Sequence, residues 1–231
     1  CGMLRRETIC DAVRQTGAKG LAFARRLARD TGGLAFIEFA YTLPIFVGFG
    51  LVGLEFTNVV LARQKTERIA ATMADLVASN QVPPNERQLG DLFSAVPQIA
   101  EPFPFENGGN VIVTAVIGIY DIDSDEVENK IAWQRCMFSD SHTSMIGEQW
   151  TDTNDIADGP SVELANDIDL LQNQMVIVAE IFYPYEPIIT QAIVKNLVPD
   201  NNILRETATF RTRGQAIMNV TPVQGVDTHE C

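Results

Sequence analysis

Two acidic residues stand alone in a long apolar run near the start of this chain. Glu38 and Glu55 are the only charged residues among the 29 residues of 34–62. A carboxylate inside a lipid-embedded segment is costly unless an opposite charge or a hydrogen-bond donor accompanies it, so each is a functional candidate by default. Glu38 therefore either pairs with a cation or extends its carboxylate to the cytoplasmic interface. For Glu55 we favour a carboxylate in water at the outer interface over pairing with a partner helix.

The element that must position both carboxylates is a single membrane-spanning helix. At about 1.5 Å per residue, residues 34–62 would extend about 43 Å, against a hydrocarbon thickness of about 30 Å. Pro44 lacks the N–H that would continue the helical hydrogen bonding, which predicts a bend. Gly48, Gly50 and Gly53 leave a bare stripe where another helix can approach closely, although glycine is also common in membrane helices generally.

Charge is divided sharply along the chain. Residues 1–33 contain seven Lys/Arg and three Asp/Glu, whereas the remainder contains 10 basic and 27 acidic residues. The positive-inside rule places the basic arm in the cytoplasm and the acidic domain across the membrane. Such an acidic domain will not bind nucleic acid by neutralising phosphates. We interpret the acidic excess as a source of solubility rather than a specific cation site.

The start of the apolar run carries a family signature. Gly33 is followed by four residues, then Glu38 and Phe39, and this spacing resembles the processing site of type IV prepilins. With Pro44 and the apolar residues that follow, residues 30–65 resemble the TadE-like proteins of tight-adherence (Flp) pilus assembly. The resemblance implies that a prepilin peptidase cuts between Gly33 and Leu34. It also implies that Glu38 pairs with the freed amine of Leu34 in the same or an adjacent subunit.

The remaining sequence predicts an α+β protein. The apolar spacing of Ile69, Met73, Leu76 and Val77 continues the stem helix through residues 63–81 in water. A head then occupies residues 82–231. Its β-branched runs predict an antiparallel sheet of about four strands against the stem, at residues 111–120, 130–138, 175–183 and 204–213. Short helices are predicted near residues 87–95, 161–171 and 188–197.

Two cysteines fall in the exported part. Cys136 and Cys231 are disulfide candidates in an oxidising compartment, with two unpaired thiols as the alternative. The other pair, Cys1 and Cys10, lies in the basic arm. The cysteines form no CxxC or Cys/His spacing typical of a metal site.

Signals for enzymatic chemistry or a cofactor are close to absent. The acidic run 121–126 resembles the start of a calcium loop, but its sixth position is Glu126 and its twelfth is Ala132, which favours a solvated hairpin turn. The histidines, His142 and His229, occur in no metalloprotease pattern. Residues 183–187 read as a rigid strand exit rather than a recognition site. We therefore expect no catalysis, metal or cofactor.

These features together predict a TadE-like minor pilin or pseudopilin of the bacterial inner membrane. Its N-terminus would be cytoplasmic and its head periplasmic, with incorporation into the pilus as a further expectation. The partners implied are other pilin-like subunits, the inner-membrane assembly platform, a prepilin peptidase and membrane lipid. The alternative is a single-pass anchored periplasmic binding or scaffold protein, of TadG type, that never enters a filament.

Overall fold

The computed structural model describes residues 32–80, 84–122, 124–138, 142–150, 156–165, 168–188, 202–214, 216 and 218–231. The chain divides into two compact units, Cys1–Gly53 and Leu54–Cys231. The basic arm before residue 32 and nearly all of the helix predicted at residues 188–197 lie outside the described residues.

Helix α1 runs from Gly32 to Ala78 over 47 residues. Residues 32–53 of this helix belong to the first unit; they are uncharged apart from Glu38, and their described side chains are exposed. The helix is long and apolar enough to cross a membrane. Pro44 lies inside it. Nearby, the Thr42 hydroxyl donates a hydrogen bond of 3.0 Å to the carbonyl of Glu38.

In the second unit, residues 54–78 of α1 are followed by a second helix, α2, from Glu86 to Ala100. The start of α2 is fixed by a capping box, because Gln88 N–H donates to Asn85 Oδ1 at 2.8 Å and Asn85 N–H donates to Gln88 Oε1 at 3.0 Å. Helix α2 is longer than the short helix predicted at residues 87–95. Helix α1 ends slightly before the predicted boundary of 81.

Four strands form one antiparallel sheet, as the sequence predicted. They are β1 (Asn110–Asp121), β2 (Glu126–Met137), β3 (Met175–Pro184) and β4 (Ile203–Arg211), in the order β2-β1-β3-β4. The acidic turn between β1 and β2 is shorter than predicted, because Asp121 already pairs with Glu126. Strand β2 therefore begins four residues before Lys130.

The main core lies between one face of the sheet and the two helices. Its largest fully buried side chains include Trp133, Phe93, Ile69, Met73 and Ile177. The stem and sheet thus share one hydrophobic core within the second unit, and burial of this apolar surface is the principal stabilising term. The predicted placement of the sheet against the stem is confirmed.

The opposite face of the sheet is covered by irregular chain. Leu164 and Leu170 are buried there with Val116 and Val178. The helix predicted at residues 161–171 is wrong for the described residues of that range, whose backbone is non-helical. The physical reason is that backbone groups here bind Asn129 instead of helical partners: its side chain accepts from Leu170 N–H at 3.2 Å and donates to the Ile168 carbonyl at 3.0 Å. The only regular turn described in this covering chain is a short 3-10 helix at Ile156–Asp158.

The C-terminal tail, residues 218–231, returns to the head. Thr221 exchanges backbone hydrogen bonds with Glu86 N–H and the Pro84 carbonyl, each at 3.1 Å. At its end, Cys231 forms a disulfide with Cys136 of β2, across 95 residues of sequence. This is the cysteine pair predicted from the sequence.

Candidate functional site

The most elaborate polar arrangement beside the stem is centred on Glu55. Its side chain is fully buried. The Tyr185 hydroxyl donates to Glu55 Oε1 at 2.8 Å, and the backbone N–H of Ile188 donates to Oε2 at 3.0 Å. The Asn58 amide donates in turn to the Tyr185 hydroxyl oxygen at 2.8 Å. We call these four residues, Glu55, Asn58, Tyr185 and Ile188, the Glu55 cluster.

Two elements bring this cluster together. Glu55 and Asn58 lie three residues apart on α1 and therefore on one helix face. Tyr185 comes directly after β3, where its backbone N–H donates to the Asn202 carbonyl at 2.7 Å. Two residues earlier, Tyr183 stacks on Phe105, with ring centroids 5.9 Å apart. The strand exit is therefore held firmly while the Tyr185 ring turns toward the helix.

The electrostatics of the Glu55 cluster keep the Tyr185 hydroxyl protonated, so that it can donate a hydrogen bond to Glu55. Burial, followed by the hydrogen bond to Glu55, raises the pKa of Tyr185 to about 12 from 10.0. The hydroxyl consequently keeps its proton at neutral pH and satisfies one oxygen of the carboxylate, while Ile188 N–H satisfies the other. A buried carboxylate is tolerated when its oxygens are hydrogen-bonded in this way. The cluster is thus equipped to hold the stem to the strand exit.

This result corrects the sequence expectation for Glu55. The sequence favoured a carboxylate lying in water, but the structure buries it against Tyr185 of the same chain. The prediction failed because 130 residues separate the partners, and no local pattern connects them. Asn58, Tyr185 and Ile188 were therefore missed as site residues. The one sequence signal was that residues 183–187 form a rigid strand exit, and the structure does end β3 at Pro184.

The residues of the prepilin-type signature lie in the first turns of α1. Gly33, Leu34, Glu38 and Phe39 all belong to the helix. Glu38 and Phe39 are exposed, and among the described residues no hydrogen bond or ion pair engages the Glu38 carboxylate. The five-residue spacing places the carboxylate about 7.5 Å along the helix axis from Gly33. The Glu38 side chain thus remains available to a group outside the described chain.

The predicted packing residues follow on the same helix. Around Gly48, Gly50 and Gly53, a Cβ atom added to any of the three would meet no atom of another part of the chain within 4 Å. Side chains between and beside them are exposed, among them Phe46 at 75% and Phe49 at 74%. In the described part of the chain, the helix surface beside Gly48 and Gly50 is open.

A second buried carboxylate lies on the loop-covered face of the sheet. Glu180 accepts hydrogen bonds from the Ser144 hydroxyl and from Met145 N–H, the latter at 2.9 Å. Burial raises the pKa of Glu180. Because the Ser144 hydroxyl and Met145 N–H both donate to Glu180, this carboxylate holds residues 144 and 145 on the sheet. No cluster of three metal-ligating side chains occurs in the described ranges.

Comparison with known proteins adds nothing to this picture. No family model, curated protein or solved structure matches the chain. The resemblance to TadE-like proteins is confined to residues 30–65 of the sequence. The described residues thus show two features: an exposed apolar helix segment that carries one carboxylate, Glu38, and a head that packs against the later part of the same helix.

Proposed function

We propose that this protein is a membrane-anchored minor pilin or pseudopilin that takes part in assembly of a tight-adherence pilus. The observation that carries the proposal is the exposed apolar helix that begins beside Gly33 and bears Glu38 about one turn in. A helix of this kind is suited to cross a bilayer and to pack beside similar helices.

The burial of helix residues in the head shortens the proposed membrane span. Glu55, Val59 and Ala62 are buried within the second unit, so the apolar residues left for the bilayer are 34–54 instead of 34–62. Twenty-one residues correspond to about 32 Å of helix, close to the hydrocarbon thickness of about 30 Å. The match supports a span that ends where the head begins. The basic residues before the span and the acidic residues after it favour an N-terminus in the cytoplasm and a periplasmic head.

In this proposal Glu38 has the decisive role. Cleavage after Gly33 would leave a positively charged amine on Leu34, and the Glu38 carboxylate of a neighbouring subunit would neutralise it in a medium where both charges are otherwise costly. Assembly would involve other pilin-like subunits, the inner-membrane platform and a prepilin peptidase. The apolar helix surface supplies the remaining contacts.

The test combines processing with assembly. N-terminal sequencing of the membrane-extracted protein should begin at Leu34. Glu38→Ala should leave membrane insertion and the Cys136–Cys231 disulfide intact while abolishing piliation. The matched controls are Glu38→Gln, which keeps the side-chain shape and should fail equally, and the exposed head variant Glu126→Ala, which should assemble normally.

Normal pili in cells carrying Glu38→Ala would contradict the pairing role. An intact basic arm on the mature protein, combined with pili that form without this chain, would instead favour an anchored periplasmic scaffold of TadG type.

A further inference from the structure

The Glu55 cluster ends in a side chain that its own head does not cover. Ile188 is 70% exposed, although its backbone N–H is fixed by the buried Glu55 carboxylate at 3.0 Å. Tyr185, three residues earlier, is buried and donates a hydrogen bond to the same carboxylate. The turn formed by residues 185–188 is thus anchored against α1 while it presents a large aliphatic group outward.

Two exposed apolar residues of the helix lie at the same level as this turn. Leu54 and Phe56 flank Glu55 in sequence and are 65% and 54% exposed, and the Glu55 carboxylate accepts from Ile188 N–H at 3.0 Å. We call Leu54, Phe56 and Ile188 the collar, since all three lie close to the level of Glu55 along the helix axis. Single exposed apolar residues are ordinary, but three at one level of a helix indicate a contact surface.

The level of the collar identifies its occupant. On the proposed function, residues 34–54 fill the hydrocarbon, so Glu55 and the collar come at the boundary between acyl chains and headgroups. Apolar side chains are favourable at that boundary, where they reach about 5–10 Å into the headgroup and acyl region. Glu186, two residues before Ile188, is exposed and charged, which limits the turn to shallow insertion.

We propose that residues 185–188 form a second membrane contact, in which Ile188 inserts into the outer face of the bilayer beside the stem. The ligand is the phospholipid acyl boundary. This inference rests on the proposed membrane span but goes beyond pilin function, because it assigns a lipid-binding role to the head itself. The Glu55 cluster then sets the height of the head on the membrane by fixing the turn to one level of the helix.

The experiment uses the full chain in phospholipid vesicles with a single environment-sensitive fluorophore. The background carries Cys1→Ser and Cys10→Ser, while Cys136 and Cys231 remain disulfide-bonded. The probe is attached at Ile188→Cys, at Phe46→Cys inside the proposed span, or at Ile122→Cys. Ile122 is the matched control, since it is also an isoleucine in a turn and is 85% exposed. Each sample is measured with and without brominated acyl chains, which quench only probes that touch lipid.

The expected result is loss of fluorescence at positions 46 and 188 and no loss at position 122. Quenching at 46 without quenching at 188 would overturn the second membrane contact and leave the span in place. A probe at 188 that is blue-shifted but unquenched would show a protein partner on the collar and would also overturn it. Absence of quenching at 46 would overturn the membrane span, and the present inference with it.

Discussion

At the scale of single residues, the burial of Glu55 depends on the hydrogen-bond donors that surround its carboxylate. A fully buried carboxylate costs several kcal/mol unless its oxygens are hydrogen-bonded. Tyr185 and Ile188 each satisfy one of the two oxygens, and Asn58 supports the tyrosine. The two acids of the apolar run therefore differ in role, because Glu55 is engaged within its own head whereas Glu38 is exposed.

The variant Tyr185→Phe tests this arrangement at neutral pH. It removes one hydroxyl, keeps the ring, and leaves Glu55 Oε1 and the Asn58 amide without that partner. We expect the free energy of unfolding to fall by about 1–3 kcal/mol, the usual cost of stranding a buried polar group. Denaturant unfolding of detergent-solubilised protein measures the change. The control is Tyr120→Phe, whose hydroxyl binds Asp125 at the surface, and an equal loss in both variants would contradict the special position of Tyr185.

The difference in stability between the wild type and Tyr185→Phe should also depend on pH. Tyr185 has a pKa of 10.0 in its ordinary state and about 12 in the fold, so the folded form retains the hydroxyl proton more strongly than the unfolded chain does. The hydroxyl's contribution is complete below pH 10 and is lost as the pH rises toward 12. The stability advantage of the wild type over Tyr185→Phe should therefore shrink across that interval. A constant difference would show that the hydroxyl does not titrate as the burial of the cluster requires.

At the scale of elements, the sequence predicted which segments are helices and strands better than it predicted which face of helix α1 is buried. All four strands of the antiparallel sheet lie close to the segments predicted, which contain β-branched and aromatic residues. In α1 the stripe was placed slightly off, because Leu76 is 42% exposed whereas Ala70 and Ala74 are buried. Alanine carries little hydrophobic signal, so the side of the helix that approaches the sheet most closely was not visible in the pattern.

Other elements were beyond the reach of local sequence. A short helix was predicted at residues 161–171, yet in the structure Leu164 and Leu170 are buried in irregular chain that binds Asn129. The Glu55 cluster likewise depends on a contact over 130 residues. In both cases tertiary hydrogen bonds decided the outcome, and periodicity cannot report them.

The corrected helix face makes a quantitative prediction. Met73 is 1% exposed and lies in the main core, so Met73→Ala should lower the free energy of unfolding by about 2–5 kcal/mol through lost burial and a residual cavity. Leu76→Ala, one turn further and 42% exposed, should cost clearly less. Thermal or denaturant unfolding of both variants provides the comparison. If both variants lost the same free energy of unfolding, the apolar stripe predicted from spacing, which included Leu76, would be correct after all.

At the scale of the whole molecule, residues 218–231 fasten the head through backbone hydrogen bonds and a disulfide. The C-terminal tail lies against the start of α2, where Glu86 forms a buried ion pair with Arg135 at 2.8 Å. Near its end, the His229 carbonyl accepts from Cys136 N–H at 2.7 Å, and the His229 ring meets Phe93 edge-on at 5.6 Å. The disulfide closes this arrangement two residues later.

The double variant Cys136→Ser/Cys231→Ser measures what that closure contributes. Opening a loop of 95 residues restores conformational freedom to the unfolded chain, and the chain-entropy relation gives a loss of about 4–5 kcal/mol. Reductant should lower the unfolding midpoint of the wild type to that of the double variant and leave the double variant unchanged. Cys1→Ser/Cys10→Ser is the control for thiol loss alone and should retain the full response to reductant. If the double variant instead unfolds at the wild-type midpoint, the noncovalent contacts of the tail suffice, and the disulfide follows from the fold without stabilising it.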